Sequence, residues 1–106
     1  MGQRIITPDA TKMSSLIIER KVEGGKLFRL RINRTDEAIS VQLTGDFFLE
    51  PDEGIIIIER ELADCLRLTS RKDAEHRLVG AIAQAELRIT GFEVKDIIDA
   101  LWEAKS

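Results

Sequence analysis

Two stretches in which apolar and polar residues alternate constrain the fold of this chain most. Apolar side chains occupy positions 28, 30 and 32 in the first stretch and positions 39, 41 and 43 in the second. A period of two is typical of a β-strand that buries one face. The polar residues 34–37 have the length of a hairpin connection. The sequence therefore predicts an antiparallel hairpin at the centre of the fold.

Turn-forming residues lie at both ends of this hairpin. Gly24 and Gly25 precede the first strand, and Gly45 and Asp46 follow the second. Glycine adopts positive φ at little steric cost, and an aspartate carboxylate readily accepts hydrogen bonds from backbone amides in turns. We therefore predict that these four residues fix the turns. For Asp46, contact with a partner or a nucleotide is the alternative.

The regions flanking the hairpin predict one more strand and a first helix. Residues 16–22 have strand composition. After Phe48 the apolar spacing becomes helical and includes Ile55 and Leu66. Pro51 is expected at the first position of this helix, where its missing N–H costs nothing.

Two further helices are predicted after residue 69. Ser70 and Asp73 have the spacing of a capping box, which opens the second helix. Its apolar face is expected to extend to Ile89, before Thr90 and Gly91 end it. The third helix is predicted to cover residues 94–102.

The predicted fold class is α+β, with a small three-stranded antiparallel sheet and three helices packed on one face. A length of 106 residues corresponds to one domain. Residues 1–14 are expected to form an N-terminal leader, either flexible or extending the sheet edge. Residues 15–106 are expected to form the domain.

The motifs at the two ends of the hairpin resemble those of a known family. The sequence reads Gly-Gly-Lys-Leu at 24–27 and Gly-Asp-Phe-Phe-Leu-x-Pro at 45–51. Both motifs resemble the accessory domain of lipoate–protein ligases, in particular the archaeal form in which that domain is a separate small subunit. The resemblance continues in order from Leu16 to Trp102.

This resemblance implies a non-catalytic subunit. In the family, the larger subunit carries the lipoyl-AMP site and the catalytic lysine, whose motif does not occur in this chain. The resemblance implies a heterodimer that uses lipoate, ATP and Mg²⁺ and acts indirectly on lipoyl-acceptor domains. This chain would bind no cofactor and have no activity alone.

The individual residues also suggest no catalytic constellation. His76 is the only histidine and lies among charged residues, and Cys65 is the only cysteine, so a zinc site of ordinary composition cannot be built. A single cysteine suits the reducing cytoplasm. The net charge of −3 argues against a nucleic-acid partner, and the apolar run 55–58 is too short to span a membrane.

Several residues are instead predicted to contact a partner protein. Phe47 and Phe48 should point in opposite directions, so that one ring enters the core and the other faces outward. Four consecutive isoleucines at 55–58 extend the apolar surface of the first helix beyond one stripe. The strands present a polar, locally basic face. The candidate interface residues are Lys26, Arg29, Arg31, Phe47, Phe48, Ile56 and Ile57.

Other functional classes are open at this level. One is a small independent hydrolase, against which the lack of a suitable histidine or cysteine argues. Another is a stand-alone protein-interaction module. A third is a nucleic-acid adaptor that uses Arg29, Arg31 and Arg34, for which a salt-dependent affinity would be the signature.

Overall fold

A computed structural model describes residues 14–22, 24 and 26–105. The first three strands, β1 (Ser14–Lys21), β2 (Leu27–Arg34) and β3 (Ile39–Gly45), form an antiparallel sheet in the order β1-β2-β3. β1 begins at Ser14, the last residue of the predicted leader. Residues 1–13 of that leader lie outside the described residues.

The register of the sheet places the apolar residues in rows across its inner face. Ile18 pairs with Leu30, which pairs with Leu43 on the other side, and Ile32 pairs with Val41. All five side chains are buried. The antiparallel pairing of β2 with β3 confirms the predicted hairpin. The burial of alternate residues confirms that one face of the hairpin is buried.

A second, two-stranded sheet was not predicted. It pairs β4 (Phe48–Glu50) with β5 (Arg88–Thr90) in antiparallel register, and Leu49 lies opposite Ile89. The prediction that Ile89 belongs to a helix was wrong. The free edge of β4 offers the backbone hydrogen bonds of a sheet to this segment, and tertiary context of this kind overrides local helical spacing.

The first helix, α1 (Gly54–Cys65), begins three residues later than predicted. Residues 51–53 form a turn in which the Gly54 N–H donates to the Pro51 carbonyl oxygen at 2.9 Å. Gly54 is buried, and a Cβ atom there would overlap the side chain of Leu87. Glycine at the start of α1 therefore leaves room for the side chain of Leu87.

The starts of the other two helices agree with the sequence. In α2 (Arg71–Gln84), the Ser70 hydroxyl accepts a hydrogen bond from the Asp73 N–H at 3.2 Å, as the capping box predicts. α3 (Val94–Lys105) begins after Glu93, whose N–H donates to the Asp96 carboxylate at 2.9 Å. α2 ends at Gln84, and the chain then turns toward β5.

All three helices contribute to one hydrophobic core with the sheet. α1 packs on β3, α3 packs on β1, and α2 packs against both helices. The largest fully buried side chains come from every layer: Phe28, Leu30, Ile58, Leu62, Leu78, Ile97, Ile98 and Leu101. The predicted α+β fold with a three-stranded antiparallel sheet and three helices is confirmed. Among the described helices, none has the length and apolar character needed to cross a membrane.

Candidate docking surfaces

The two consecutive phenylalanines point in different directions. Phe47 is half-buried and packs edge-on against Phe92, with ring centroids 5.0 Å apart. Phe48 is 74% exposed, the highest exposed fraction among the large hydrophobic side chains of the described chain. The predicted split is confirmed, and Phe48 is the outward ring.

The turn before these rings is held by the backbone. Gly45 has φ +148°, and a Cβ atom there would overlap the Leu27 carbonyl oxygen. That same carbonyl accepts the Asp46 N–H at 2.7 Å. The Asp46 carboxylate is exposed and accepts no hydrogen bond from the described residues. The main chain of Gly45 and Asp46 therefore makes this turn. The sequence predicts instead that the Asp46 carboxylate fixes it.

The turn at the other end of β2 is described only in part. Gly24 has φ +99°, and the Val22 N–H donates to the Lys26 carbonyl oxygen at 2.6 Å across the turn. Gly25 lies outside the described residues. The exposed Lys26 lies on a polar groove of about 550 Å³ together with Lys95 and Asp96.

An open groove lies beside the exposed ring of Phe48. Its volume is about 360 Å³, and strands β3 and β4 and the start of α1 form its walls. The lining residues are Leu43, Thr44, Gly45, Phe47, Phe48, Leu49, Asp52 and Ile55. We call it the Phe48 groove.

A second groove continues along the same side of the molecule. Its volume is about 280 Å³, and it lies between the first residues of β3 and the middle of α1. The lining residues are Ile39, Ser40, Val41, Ile56, Glu59, Arg60 and Ala63. We call it the Ile56 groove, because Ile56 is its most exposed apolar residue, at 54%.

The structure separates the two isoleucines that the sequence grouped. Ile56 lies on the Ile56 groove, whereas Ile57 is half-buried and lines neither groove. Helical spacing places Ile57 on the same side of α1 as Glu61 and Asp64, the two carboxylates that pair with Arg77 of α2. Ile57 therefore borders α2, and Ile56 faces the margin of the sheet.

Glu59 lines the Ile56 groove and contacts Leu43, which lines the Phe48 groove. Its carboxylate accepts the Leu43 N–H at 2.8 Å, so a side chain of α1 satisfies a backbone donor of β3. Glu59 is not among the site residues predicted from the sequence, because a single carboxylate on a helix is typical of a solvated face. Its position four residues after Ile55, on the side that faces β3, is the signal that could have found it.

The outer face of the three-stranded sheet is less basic than its β2 residues suggest. Arg29 pairs with Glu19 of β1, and its Nε donates to a Glu19 carboxylate oxygen at 2.9 Å. Arg31 is exposed and lies between Ile17 of β1 and Gln42 of β3. The neighbouring strand thus places one acidic and one apolar side chain among the predicted basic residues.

Of the two residues with possible catalytic chemistry, Cys65 is buried in the core and His76 lies on the surface. Cys65 is buried, its thiol lies 3.7 Å from the Ala74 carbonyl oxygen, and burial raises its pKa to about 11. A thiol with a raised pKa is a poor nucleophile near neutral pH. His76 is exposed on α2. Within residues 14–22, 24 and 26–105, no group of three His, Cys, Asp or Glu side chains could hold a metal ion.

Comparisons of the chain with protein-family models, with curated proteins and with solved structures each found no match. The resemblance to lipoate–protein ligases stays a prediction that is based on the two hairpin motifs. The second of these motifs, at 45–51, contains the exposed ring of Phe48 and half of the residues that line the Phe48 groove.

Proposed function

We propose that this chain is the non-catalytic accessory subunit of a two-component lipoate–protein ligase. One observation carries the proposal: the motif that resembles the family, Gly-Asp-Phe-Phe, presents Phe48 to solvent beside an open groove. Exposing a large aromatic ring is unfavourable in an isolated domain, and aromatic side chains are common anchors of protein interfaces. The partner is the catalytic subunit, and the complex acts in the cytoplasm.

The packing around the Phe48 segment supports this role. β4 is hydrogen-bonded to β5 on one side, and Phe47 packs against Phe92 immediately before it. Gly45 holds the turn against β2. An anchor that is already ordered loses little conformational entropy on binding, so its apolar burial contributes more fully to affinity.

In this proposal the catalytic subunit supplies the chemistry of adenylation and transfer. It binds lipoate, ATP and Mg²⁺, forms lipoyl-AMP, and transfers the lipoyl group to the lysine of an acceptor domain. This chain binds none of them alone. Its own side chains contribute docking contacts, principally Phe48 and Ile56, and these contacts favour the conformation of the partner that is competent for adenylation.

Such a role requires coupling between docking and ligand binding. If docking favours one conformation of the catalytic subunit, a ligand that prefers that conformation must change the affinity between the subunits by the same factor. A non-hydrolysable lipoyl-adenylate analogue should therefore change the affinity. Titration calorimetry with and without the analogue measures this directly, and identical affinities would reduce the chain to a passive scaffold.

The decisive experiment is reconstitution. The chain alone should form no lipoyl-AMP from lipoate, ATP and Mg²⁺. Adenylation should occur when the chain is mixed with a lipoate–protein ligase catalytic subunit that lacks this domain. Phe48→Ala should impair reconstitution, and Val79→Ala, which shortens an exposed apolar side chain on α2, is the matched control. The proposal would be overturned if the chain alone formed lipoyl-AMP, or if the chain did not change the adenylation activity of the catalytic subunit.

A stand-alone interaction module is the second candidate, because the exposure of Phe48 fits any protein partner. Capture of a protein other than a ligase, with no effect on lipoate adenylation, would favour it. The nucleic-acid adaptor has less support, because Glu19 offsets the charge of Arg29 on the sheet face. A strongly salt-dependent affinity for DNA or RNA would be its signature.

A further inference from the structure

The segment that carries Phe48 is acidic. Four of the eight residues 46–53 are aspartate or glutamate, and none is basic. Glu50 lies on the same exposed face of β4 as Phe48, because alternate residues of a strand share a face. Among the described residues that line the Phe48 groove, Asp52 is the only charged one. The exposed ring therefore lies beside negative charge.

The negative charge at the groove is not paired within the described chain. Asp52 and Glu53 are exposed, and among the described residues neither carboxylate forms an ion pair or accepts a hydrogen bond. Arg88 of β5 lies opposite Glu50, so one charge of the segment has a basic residue across the strands. No such residue lines the groove beside Asp52.

The other grooves of this surface differ in their charge. One carboxylate and one guanidinium, from Glu59 and Arg60, line the Ile56 groove. The polar groove near Lys26 also has side chains of both signs. Among these three grooves, the Phe48 groove alone combines a large exposed ring with a single sign of charge.

This charge argues against a second copy of the chain on the Phe48 groove. In a twofold contact that buries both Phe48 rings, each copy would bring its own Asp52 to the shared surface. Like charges that face each other across an interface oppose association. An apolar recess with a lysine or arginine at its margin complements both the ring and the carboxylate.

We propose that the Phe48 groove docks on a basic surface of the catalytic subunit. The Phe48 ring occupies an apolar recess there, and a lysine or arginine of the partner lies beside Asp52. This inference rests on the proposed function, because it takes the catalytic subunit as the partner. It adds the chemistry of the surface that receives this chain. The affinity should therefore fall as the salt concentration rises, since salt screens attraction between opposite charges.

A charge reversal in the groove tests the proposal. Asp52→Lys should weaken binding to the catalytic subunit by at least about tenfold, because it brings like charges together at the contact. Glu37→Lys is the matched control, since it makes the same change in charge in the exposed β2–β3 connection, at the opposite end of β3. It should change the affinity by less than about twofold, because distant exposed charges are screened. Titration calorimetry measures both affinities.

A milder variant covers the case in which Asp52→Lys does not fold. Asp52→Asn removes the charge and keeps the size of the side chain, and the backbone carbonyl that accepts the Ile55 N–H is unchanged. We expect it to bind about threefold more weakly than the unaltered chain and to show a weaker dependence on salt. Unchanged affinity and unchanged salt dependence would contradict a basic group beside Asp52.

The remaining outcomes separate this inference from the proposed function. If Asp52→Lys binds as tightly as Glu37→Lys, in a complex that Phe48→Ala still weakens, the basic surface is overturned and the proposed function stands. If light scattering shows that the free chain self-associates and that Asp52→Lys abolishes this, the groove belongs to a second copy and the inference is wrong. Failure to form any complex with the catalytic subunit would overturn both.

Discussion

The outer face of the sheet and the margin formed by β3, β4 and α1 differ in how their exposed residues are compensated. On the sheet face, Glu19 of the adjacent strand pairs with Arg29. Ile17, which is 48% exposed, lies beside Arg31 with no groove next to it among the described pockets. On the margin, Phe48 and Ile56 remain exposed, and two open grooves lie beside them. A charge can be offset by a neighbour within the surface, whereas an exposed apolar ring can be removed from water only by contact with another surface.

This difference makes the margin the better candidate for docking. Exposed ion pairs contribute little to stability, on the order of 0.2–1 kcal/mol, and are screened by salt. Burial of a large apolar side chain is worth about 1.5–3 kcal/mol. Mutations on the margin should therefore weaken binding more than mutations on the sheet face do.

The largest expected effect concerns the two neighbouring rings. Phe47→Ala should lower the free energy of unfolding by about 3 kcal/mol, at the lower end of the range for core phenylalanines because Phe47 is half-buried. Phe48→Ala should change it by less than about 0.5 kcal/mol, because the ring is mostly solvated. Chemical denaturation of both variants measures the difference. Equal destabilisation would show that Phe48 also has a structural role.

Ile56→Asp should distinguish the margin from the sheet face in binding. A carboxylate in the Ile56 groove should weaken docking by at least about 2 kcal/mol, as expected for an interface hot spot, while the fold persists. Arg29→Glu is the matched charge-changing control on the other region and should leave docking nearly unchanged. If calorimetry with the catalytic subunit shows the reverse order, the sheet face is the docking surface.

The hydrogen bond between Glu59 and β3 should contribute measurably to stability. Glu59→Ala leaves the Leu43 N–H without its acceptor, so we expect a loss of about 1–2 kcal/mol in the free energy of unfolding. Glu59→Gln keeps an acceptor oxygen and should lose less. Equal losses in the two variants would mean that the charge matters more than the hydrogen bond. If neither variant lost stability, water would hydrogen-bond to the Leu43 N–H as well as the Glu59 carboxylate does.

Arg29→Glu should destabilise the free chain by about 0.5–1 kcal/mol, because it replaces an ion pair with two facing carboxylates across β1 and β2. The loss should shrink when the salt concentration is raised, since exposed charges are screened. Thermal unfolding at low and high salt measures this. A loss that is independent of salt would point to packing of the arginine side chain instead.

The smallest expected effect is that of Asp46→Asn. The turn is held by the backbone N–H of this residue, so loss of the carboxylate charge should change stability by less than about 0.5 kcal/mol. Reconstituted adenylation should also persist. A stable variant that docks but fails to support adenylation would give Asp46 a functional role.

The sequence by itself determined the elements that arise from local patterns. The alternation at 28–32 and 39–43 specified the hairpin and its buried face, because register and facing follow from a period of two. Ser70 and Asp73 specified the start of α2 through a hydrogen bond made within one turn. The opposite directions of Phe47 and Phe48 followed from extended backbone alone.

The tertiary structure decided what depends on residues far apart in the chain. Ile89 lies in a strand because β4, about forty residues earlier, offers it an edge. Arg29 is paired because β1 places Glu19 beside it, and Ile56 and Ile57 differ because β3 lies on one side of α1 and α2 on the other. Glu59 meets the Leu43 amide for the same reason. Local spacing determines which face a side chain occupies, but only the packing of distant elements determines what that face meets.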